Sequence, residues 1–313
     1  LSPGGTRLAC LAAASWSFDV ASDRLDALAG VRIDGETIRR HVHRAAGAIR
    51  RRREEAPPAA LAEAGGDVEF LTDGVMVPGR GGWRELKMAT FQARRRGEPA
   101  EVAEWADRAL PAPTASVAYA TVADSEAFSA RWRPWAKGLG VDPDAALTVL
   151  ADGAAWIWTA AGARFPGAAQ VLDIFHASHH VAAAAAGLHG EGTDEAADWL
   201  GRGRAALLAD GWPGLLDHVG ATPAAGRTAA GQAALDEMIA YFAKHTDRLG
   251  YFGRLQSGRS IGSGAVEGLA RRMGRRLKTP GRGWRVEHLD GMAALVATID
   301  TPEWESLWVR LAA

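Results

Sequence analysis

Residues 68–77 read VEFLTDGVMV, and the rest of the architecture can be worked out around this segment. It is rich in apolar and β-branched residues, which pack well in extended chain, so it predicts a strand. The turn-forming residues PGRGG follow at positions 78–82, and from Trp83 to Phe91 successive residues alternate in character. A strand, a Gly-rich turn and a second strand predict a β-hairpin.

Three further segments downstream have strand character. Residues 116–122 follow the breaker Pro111-Ala112-Pro113, and the short apolar runs at 147–152 and 169–174 are typical of buried parallel strands. Between the third and fourth segments, residues 127–139 predict a helix with three aromatic residues. The sequence therefore predicts an α/β protein with a mixed five-stranded sheet flanked by helices.

The chain before the hairpin predicts helices. Phe18 to Ala29 has apolar residues near helical spacing, Gly30 is a typical stop, and Asp34 is a typical N-cap for a second helix. Arg40 and Arg44 lie on a different face of that second helix from its apolar stripe. Two helices joined by a short turn indicate either a DNA-binding helix-turn-helix or an ordinary helical hairpin.

Changes in pattern divide the chain into four regions. Pro57-Pro58 ends an N-terminal helical region, residues 1–58, and the predicted core strands occupy residues 64–176. Residues 177–250 are Ala-rich and helical in pattern, with an interruption at Gly211-Trp212-Pro213. Residues 251–313 form a basic, helical C-terminal region that contains Glu267.

The composition is that of a globular protein. The chain has 313 residues, of which 48% are hydrophobic, enough to bury a substantial core. It contains no apolar run of the roughly 18 residues that a membrane helix needs, and its start lacks the order of a signal peptide, so we expect a cytoplasmic location and no membrane partner. Cys10 is the single cysteine, which excludes an internal disulfide and a Cys-based zinc site. Because the first residue is Leu1 rather than Met, we expect a processed chain or a part of a longer one.

Charge is unevenly distributed, although the net charge is only −1. Acidic residues gather between Glu191 and Asp247, whereas basic residues gather from Arg254 to Arg285. A dense basic segment predicts binding to a phosphate backbone, and a solvated helix face gives the same pattern. The residues expected to contact DNA are Arg40, Arg44, Arg259, Arg271, Arg272, Arg275, Arg276 and Lys278.

Three acids are candidates for chemistry. We expect Asp73 and Asp152 each to terminate an apolar strand, and each precedes a Gly; Glu267 follows a Gly-rich turn at the start of an Arg-rich helix. Carboxylate oxygens are the ligands that Mg²⁺ and Mn²⁺ prefer, and two such ions about 3.5–4 Å apart can promote cleavage of a phosphodiester. The alternatives are that Asp-Gly is ordinary turn chemistry and that Glu267 is only an ion-pair partner.

Five motifs in a fixed order carry a resemblance to a known family. They are TDGVMVP at 72–78, GWRELK at 82–87, ADG at 151–153, LDIFH at 172–176 and IGSGAVEG at 261–268. Together they resemble bacterial insertion-sequence transposases of the ISKra type, within the Mutator-like group. The resemblance implies an RNase H-like sheet with an all-α insertion and a catalytic triad of Asp73, Asp152 and Glu267. It also implies two Mg²⁺ or Mn²⁺ ions held by these acids.

Asp173 and His176 resemble the Cys/Asp-x-x-His box of the same group, which implies a supporting role near the cleaved DNA end. His176 is followed by His179 and His180, so a metal site made of imidazoles is the competing interpretation. Neutral histidines at such spacing on an Ala-rich helix are also typical of packing or capping. We therefore assign Asp173 and His176 as supporting residues rather than as metal ligands.

The implied activity is that of a transposase acting on double-stranded DNA, both at the transposon ends and at the target, as a homo-oligomer on DNA. Activated water would cut the phosphodiester at an element end, and the freed 3′-hydroxyl would attack target DNA. Trp156, Trp158, Trp212 and Trp284 are candidates for stacking on an unpaired base or for the core. Two alternatives remain: an RNase H-like nuclease that cuts without joining, and a truncated DNA-binding protein without enzymatic activity.

Overall fold

The computed structural model describes residues 1–55, 59–278, 283–299, 301 and 303–312, and the side chains of this last range only as far as residue 308. The expected breaker Pro57-Pro58 lies outside these residues. The strands are β1 Asp67–Gly79, β2 Gly82–Arg94, β3 Ala115–Thr121, β4 Thr148–Ala151 and β5 Ala169–Leu172. The α-helices are α1 Pro3–Ser15, α2 Phe18–Ala29, α3 Gly35–Glu55, α4 Ser125–Ala130, α5 Trp132–Gly138, α6 Ala155–Arg164, α7 Ile174–His189, α8 Asp194–Gly220, α9 Ala229–Phe242, α10 Tyr251–Gln256, α11 Gly264–Leu277, α12 Val286–Thr298 and α13 Glu303–Ala312.

The five strands form one mixed sheet in the order β3-β2-β1-β4-β5. Strands β3, β2 and β1 pair antiparallel, whereas β1, β4 and β5 pair parallel. The register places Thr72 beside Ala151, and Ala151 beside Leu172. The predicted mixed five-stranded sheet flanked by helices is therefore confirmed.

Strand β1 corrects one expectation, because Asp73 does not end it. The strand continues to Gly79, since β2 pairs with it as far as the Gly79–Gly82 position. What ends near Asp73 is the pairing with β4, whose last paired position joins Thr72 and Ala151. The Asp73-Gly74 pair therefore marks the place where β4 stops pairing with β1, and not the end of β1.

The two faces of the sheet are covered differently. On one face, Phe70 of β1 packs against the rings of Phe91, Trp132 and Phe165, with centroids 4.7–5.3 Å apart. The helix α11 packs on β1 and β2. Side chains alternate along a strand, so Asp73 lies on the face opposite to Phe70. Leu71, which shares that opposite face, lines a surface cavity with Ala265 of α11.

The helix expected at residues 127–139 is two short helices, α4 and α5, which meet at Arg131. Proline at position 134 supplies the physical reason. It has no N–H to donate to the carbonyl of Ala130, so the hydrogen-bond ladder is interrupted one turn earlier. The aromatic residues of both helices still reach the core, because Phe128 and Trp132 are fully buried.

The N-terminal helices pack into the same core as the sheet. Helix α2 ends at Gly30, whose φ of 63° is left-handed, and the carboxylate of Asp34 accepts the N–H of Thr37 at 2.8 Å. Both features follow the sequence prediction. Helix α3 packs its buried stripe on α12. The N-terminal helices therefore pack against α12, near the C-terminal end of the described residues, and share its core.

Helices α7, α8 and α9 follow β5 and pack against one another, with α7 in contact with both of the others. Helix α8 is kinked at Gly211, where φ is 62° and ψ is −133°, as the Gly-Trp-Pro interruption predicts. A Cβ at this position would lie 3.0 Å from the carbonyl oxygen of Leu249. Among the described helices, none is both long enough and apolar enough to cross a membrane.

Candidate functional site

Asp73 on β1 and Asp152, directly after β4, occupy adjacent positions. Each directly follows a member of the Thr72–Ala151 pair, and paired strands lie about 4.8 Å apart. Both side chains are half-buried. The carboxylate of Asp73 accepts the N–H of Gly74 at 2.7 Å, and that of Asp152 accepts the N–H of Ala154 at 2.9 Å. Asp152 therefore makes the hydrogen bond expected of an Asp-Gly turn, and it also lies close to a second acid, Asp73.

Glu267 lies in the first turn of α11, on the helix that packs against β1. Its carboxylate is 3.5 Å from the guanidinium of Arg271, one helical turn later. This ion pair is loose, because the Arg271 side chain is 75% exposed, and exposed pairs contribute little to stability. Ion pairing with Arg271 alone is thus a weak reason for an acid at this place.

Asp152 and Glu267 both act on the pKa of Asp73. Burial raises the pKa of Asp73, the N–H of Gly74 lowers it, and the negative charges of Asp152 and Glu267 raise it further. The proximity of His176 acts in the opposite direction on the same pKa. Asp73, Asp152, Glu267 and His176 therefore share one electrostatic environment on one side of the sheet.

The donor atoms suit a hard divalent cation, because they are carboxylate oxygens whose mutual repulsion a cation would relieve. The side chains nevertheless do not converge on one point. Within the described residues, no group of three or more His, Cys, Asp or Glu side chains is arranged to hold a metal ion. This statement covers the three acids and also the alternative site at His176, His179 and His180. Binding a metal between the acids would require their side chains to move inward.

Asp173 is fully buried and joins two parts of the site. One carboxylate oxygen caps α7 by accepting the N–H of His176 at 2.8 Å, and the other accepts the N–H of Ser263, just before α11. The N–H of Ile174 also donates to the carbonyl of Ile261 at 3.0 Å. Asp173 therefore fixes the start of the helix that carries Glu267.

Gly262 completes this junction. A Cβ at position 262 would lie 2.8 Å from the ring of Phe175 and 3.5 Å from the carboxylate of Asp173. The Gly-rich segment before α11 thus has a steric reason at this position. His176 itself is half-exposed at the first turn of α7.

Tyr241 of α9 is a site residue that the sequence reading missed. A Cβ on Gly153 would lie 2.5 Å from the ring and from the hydroxyl oxygen of Tyr241. Burial raises the pKa of Tyr241, and the charges of Asp152 and Asp173 raise it further. Its ring stacks on His180 with centroids 3.5 Å apart. Gly153 indicated a close approach at this place, but no local pattern indicated that Tyr241 would supply it.

The expected DNA-contacting residues fall into an exposed and an internal group. Arg40 and Arg44 are exposed on α3, and Arg271, Arg272, Arg275 and Lys278 are exposed at α11. Positions 267, 271, 275 and 278 lie on one stripe of α11, so the basic stripe begins at Glu267. Arg259 pairs with Asp67 at 2.8 Å. Arg276 is buried, donates from Nε to the carbonyl of Ala13 and packs against the rings of both Phe18 and Trp284.

The tryptophans proposed for base stacking differ in accessibility. Trp158 is buried, Trp156 packs beside Phe128 and Trp132, and Trp212 is partly buried against the core. Trp284 is half-buried and lines a cavity.

A scan against models of known protein families finds no match to this chain, and neither does a search of curated proteins.

Proposed function

We propose that this chain is the catalytic part of a transposase with an RNase H-like fold and an Asp73, Asp152 and Glu267 triad. It would cut the ends of an insertion sequence and transfer the resulting 3′-hydroxyl into target DNA, acting as a homo-oligomer. The mixed five-stranded sheet with flanking helices supports this assignment. The observation that carries it is the register, which sets Asp73 beside Asp152 on the face that faces α11.

In this proposal, Asp73, Asp152 and Glu267 would hold two Mg²⁺ or Mn²⁺ ions. Such ions supply charge neutralisation at the phosphodiester and activation of the attacking oxygen. The rest of the chain positions these acids. Asp173 holds the start of α11 through the N–H of Ser263, and Tyr241 packs closely against Gly153, the residue after Asp152.

The basic stripe of α11 gives the proposed site its DNA-binding surface. Arg271, Arg275 and Lys278 follow Glu267 on the same side of the helix, with successive members about 4.5–6 Å apart along its axis. A DNA strand that enters the acidic site would therefore have its next phosphates near guanidinium and ammonium groups. Contacts of this kind fix the position of the strand and make its affinity depend on salt.

A DNA-binding protein without catalytic activity is the second candidate. The observation in its favour is that no described group of three acidic or imidazole side chains is arranged for a metal ion. Such a protein would bind through the same exposed arginines. It would bind DNA equally well with Mn²⁺ or with a chelator, and it would cut nothing.

Nicking of supercoiled plasmid by the purified chain, with Mn²⁺ or with EDTA, tests the proposal. We expect nicking in Mn²⁺ only, and its loss in Asp152→Asn with DNA binding retained. Asp198→Asn is the matched control, because its carboxylate is 78% exposed on α8. Equal nicking by Asp152→Asn and wild type would remove Asp152 from the catalytic residues. A labelled duplex with a pre-cut 3′ end then distinguishes a transposase, which joins it to the plasmid, from a nuclease.

A further inference from the structure

A cavity of about 680 Å³ lies away from the three acids, where the N-terminal helices meet the end of the chain. Its walls come from the start of α2, the middle of α3, the turn after β1, the end of α11 and the start of α12. We call it the Arg276 cavity. The residues that line it are Ser17, Phe18, Arg39, His43, Arg80, Arg276, Gly283, Trp284, Arg285 and His288.

The Arg276 cavity is strongly basic. Four arginines and two histidines line it, and none of the described lining residues is acidic. Two acids act on its lining: Glu36, which pairs with Arg39 at 2.5 Å, and Glu287, whose charge acts on His288. Burial lowers the pKa of His43 to about 4, and the charges of His288, Arg39 and Arg276 contribute to that shift. The field inside the cavity therefore favours an anion.

The basic groups are held in place rather than spread over flexible side chains. The guanidinium of Arg276 lies 5.0 Å from the ring centroid of Phe18 and 5.1 Å from that of Trp284. His43 stacks on His288 with centroids 3.9 Å apart. The indole N–H of Trp284 donates to the carbonyl of Leu277 at 3.0 Å. Such pre-arrangement lowers the entropy cost of binding a phosphate group.

Two elements connect the cavity to the acidic site. Helix α11 carries Glu267 near its start and Arg276 near its end, about 14 Å apart along the axis. Strand β1 carries Asp73 near its middle and leads to Arg80, which lies about 23 Å further along the strand and its turn. At about 3.4 Å for each base step of a strand, these lengths correspond to roughly four to seven nucleotides.

We propose that the Arg276 cavity binds phosphodiester groups of a DNA strand, roughly four to seven nucleotides from the phosphodiester that lies at Asp73 and Asp152. The distance to the cut rests on the proposed function, whereas the binding of DNA phosphates does not. The volume of the cavity exceeds that of one phosphate group, and two of its arginines, Arg80 and Arg285, are exposed. A strand can therefore contact these outer guanidinium groups and extend onto the basic stripe of α11.

The test measures DNA binding in EDTA, so that it does not depend on cleavage. Fluorescence anisotropy measures the binding of a labelled 12-nucleotide DNA strand to three proteins. They are wild type, the cavity variant Arg80→Ala/Arg285→Ala and the control variant Lys137→Ala/Arg202→Ala. Both pairs remove two exposed positive charges. We expect the cavity variant to bind about tenfold or more weakly at low salt and to lose about 1.4 from the slope of log K against log salt. The control should change affinity by less than about twofold.

A conservative variant and a small anion complete the experiment. Arg80→Lys/Arg285→Lys keeps the charge and should retain most of the affinity. Equal losses in the cavity variant and the control would overturn the proposal, because non-specific attraction would then explain binding. The same proteins are also titrated with pyrophosphate. If wild type binds pyrophosphate with a millimolar Kd while the cavity variant binds the DNA strand as tightly as wild type, the cavity is a small-anion site and the proposal is wrong.

Discussion

The buried carboxylate of Asp173 accepts the backbone N–H of Ser263, and so links the end of β5 to the loop that starts α11. Its other oxygen caps α7 at His176. One side chain thereby sets the position of two helices, one bearing His176 and the other bearing Glu267. The LDIFH and IGSGAVEG motifs, far apart in sequence, are in contact through this residue.

Replacing Asp173 by Asn should destabilise the fold and weaken any activity. The amide has one acceptor oxygen where the carboxylate has two, so one of the two buried N–H groups loses its partner. Such a loss costs about 1–3 kcal/mol. Urea denaturation of Asp173→Asn against Asp198→Asn measures it. A free energy of unfolding equal to that of the control would mean that Asp173 does not hold the two helices.

The contact between Gly153 and Tyr241 predicts a suppressor pair. Gly153→Ala places a methyl group 2.5 Å from the Tyr241 ring, and overpacking of this kind costs about 1–3 kcal/mol. Tyr241→Ala should cost stability by itself, but it should remove the clash. In the double variant, Gly153→Ala should therefore have little further effect. Chemical denaturation of all four proteins gives the coupling energy, and strictly additive losses would contradict the contact.

The charge of Asp73 should lower stability near neutral pH. Its pKa is raised in the folded chain by burial and by Asp152 and Glu267, so the folded state favours the protonated form. An acid of this kind destabilises the fold above its unfolded pKa of about 3.8 and has no such effect well below it. Asp73→Asn should therefore unfold at higher urea than wild type at pH 7 in EDTA.

At pH 3 the gain from Asp73→Asn should disappear, because wild-type Asp73 is then protonated in both states. Asp198→Asn serves as the control at both pH values, since its carboxylate is exposed. A gain that stays the same from pH 7 to pH 3 would show that packing, rather than charge, causes the difference. A loss of stability at pH 7 would contradict the repulsion among the acids.

Metal binding should be visible without any DNA. If the three acids hold Mn²⁺, the ion binds only the folded chain. At one hundred times its Kd it then adds about 2.7 kcal/mol to the free energy of unfolding, and the melting temperature rises. The increase should vanish in Asp73→Asn and in Asp152→Asn, and it should persist in Asp198→Asn. A shift of equal size in all four proteins would place the ion elsewhere.

The strands could be predicted because their patterns are local. β-branched runs separated by Gly and Pro place each of the five within a few residues of its observed bounds. The expectation that Asp73 ends an apolar strand was wrong, since β2 continues to pair with β1 as far as Gly79. The split between α4 and α5 follows from Pro134, a signal that the aromatic spacing obscured.

The candidate site shows a similar division. Asp73, Asp152 and Glu267 could be selected from the sequence by their residue type and by their order along the chain. The hydrogen bonds of Asp73 and Asp152 to nearby backbone N–H groups are local features of the same kind. Tyr241 approaches Gly153 from a helix nearly ninety residues later, and only the packing of α9 on α7 brings it there. Two arginines that belong to basic runs are internal: Arg53 binds Glu303, and Arg276 packs against two aromatic rings. A run of like charges does not indicate which of its members faces inward.

The pairing of Arg53 with Glu303 ties α3 to α13, and the guanidinium also donates to the carbonyl of Ala118 at 2.7 Å. Shortening the protein before residue 303 would leave a cation inside the fold without its counter-ion, at a cost of several kcal/mol. Expressing the first three helices alone would expose the apolar stripe that α12 covers. The opening and closing helices are therefore one structural unit, and a shortened protein that is meant to fold must keep both ends of the chain together.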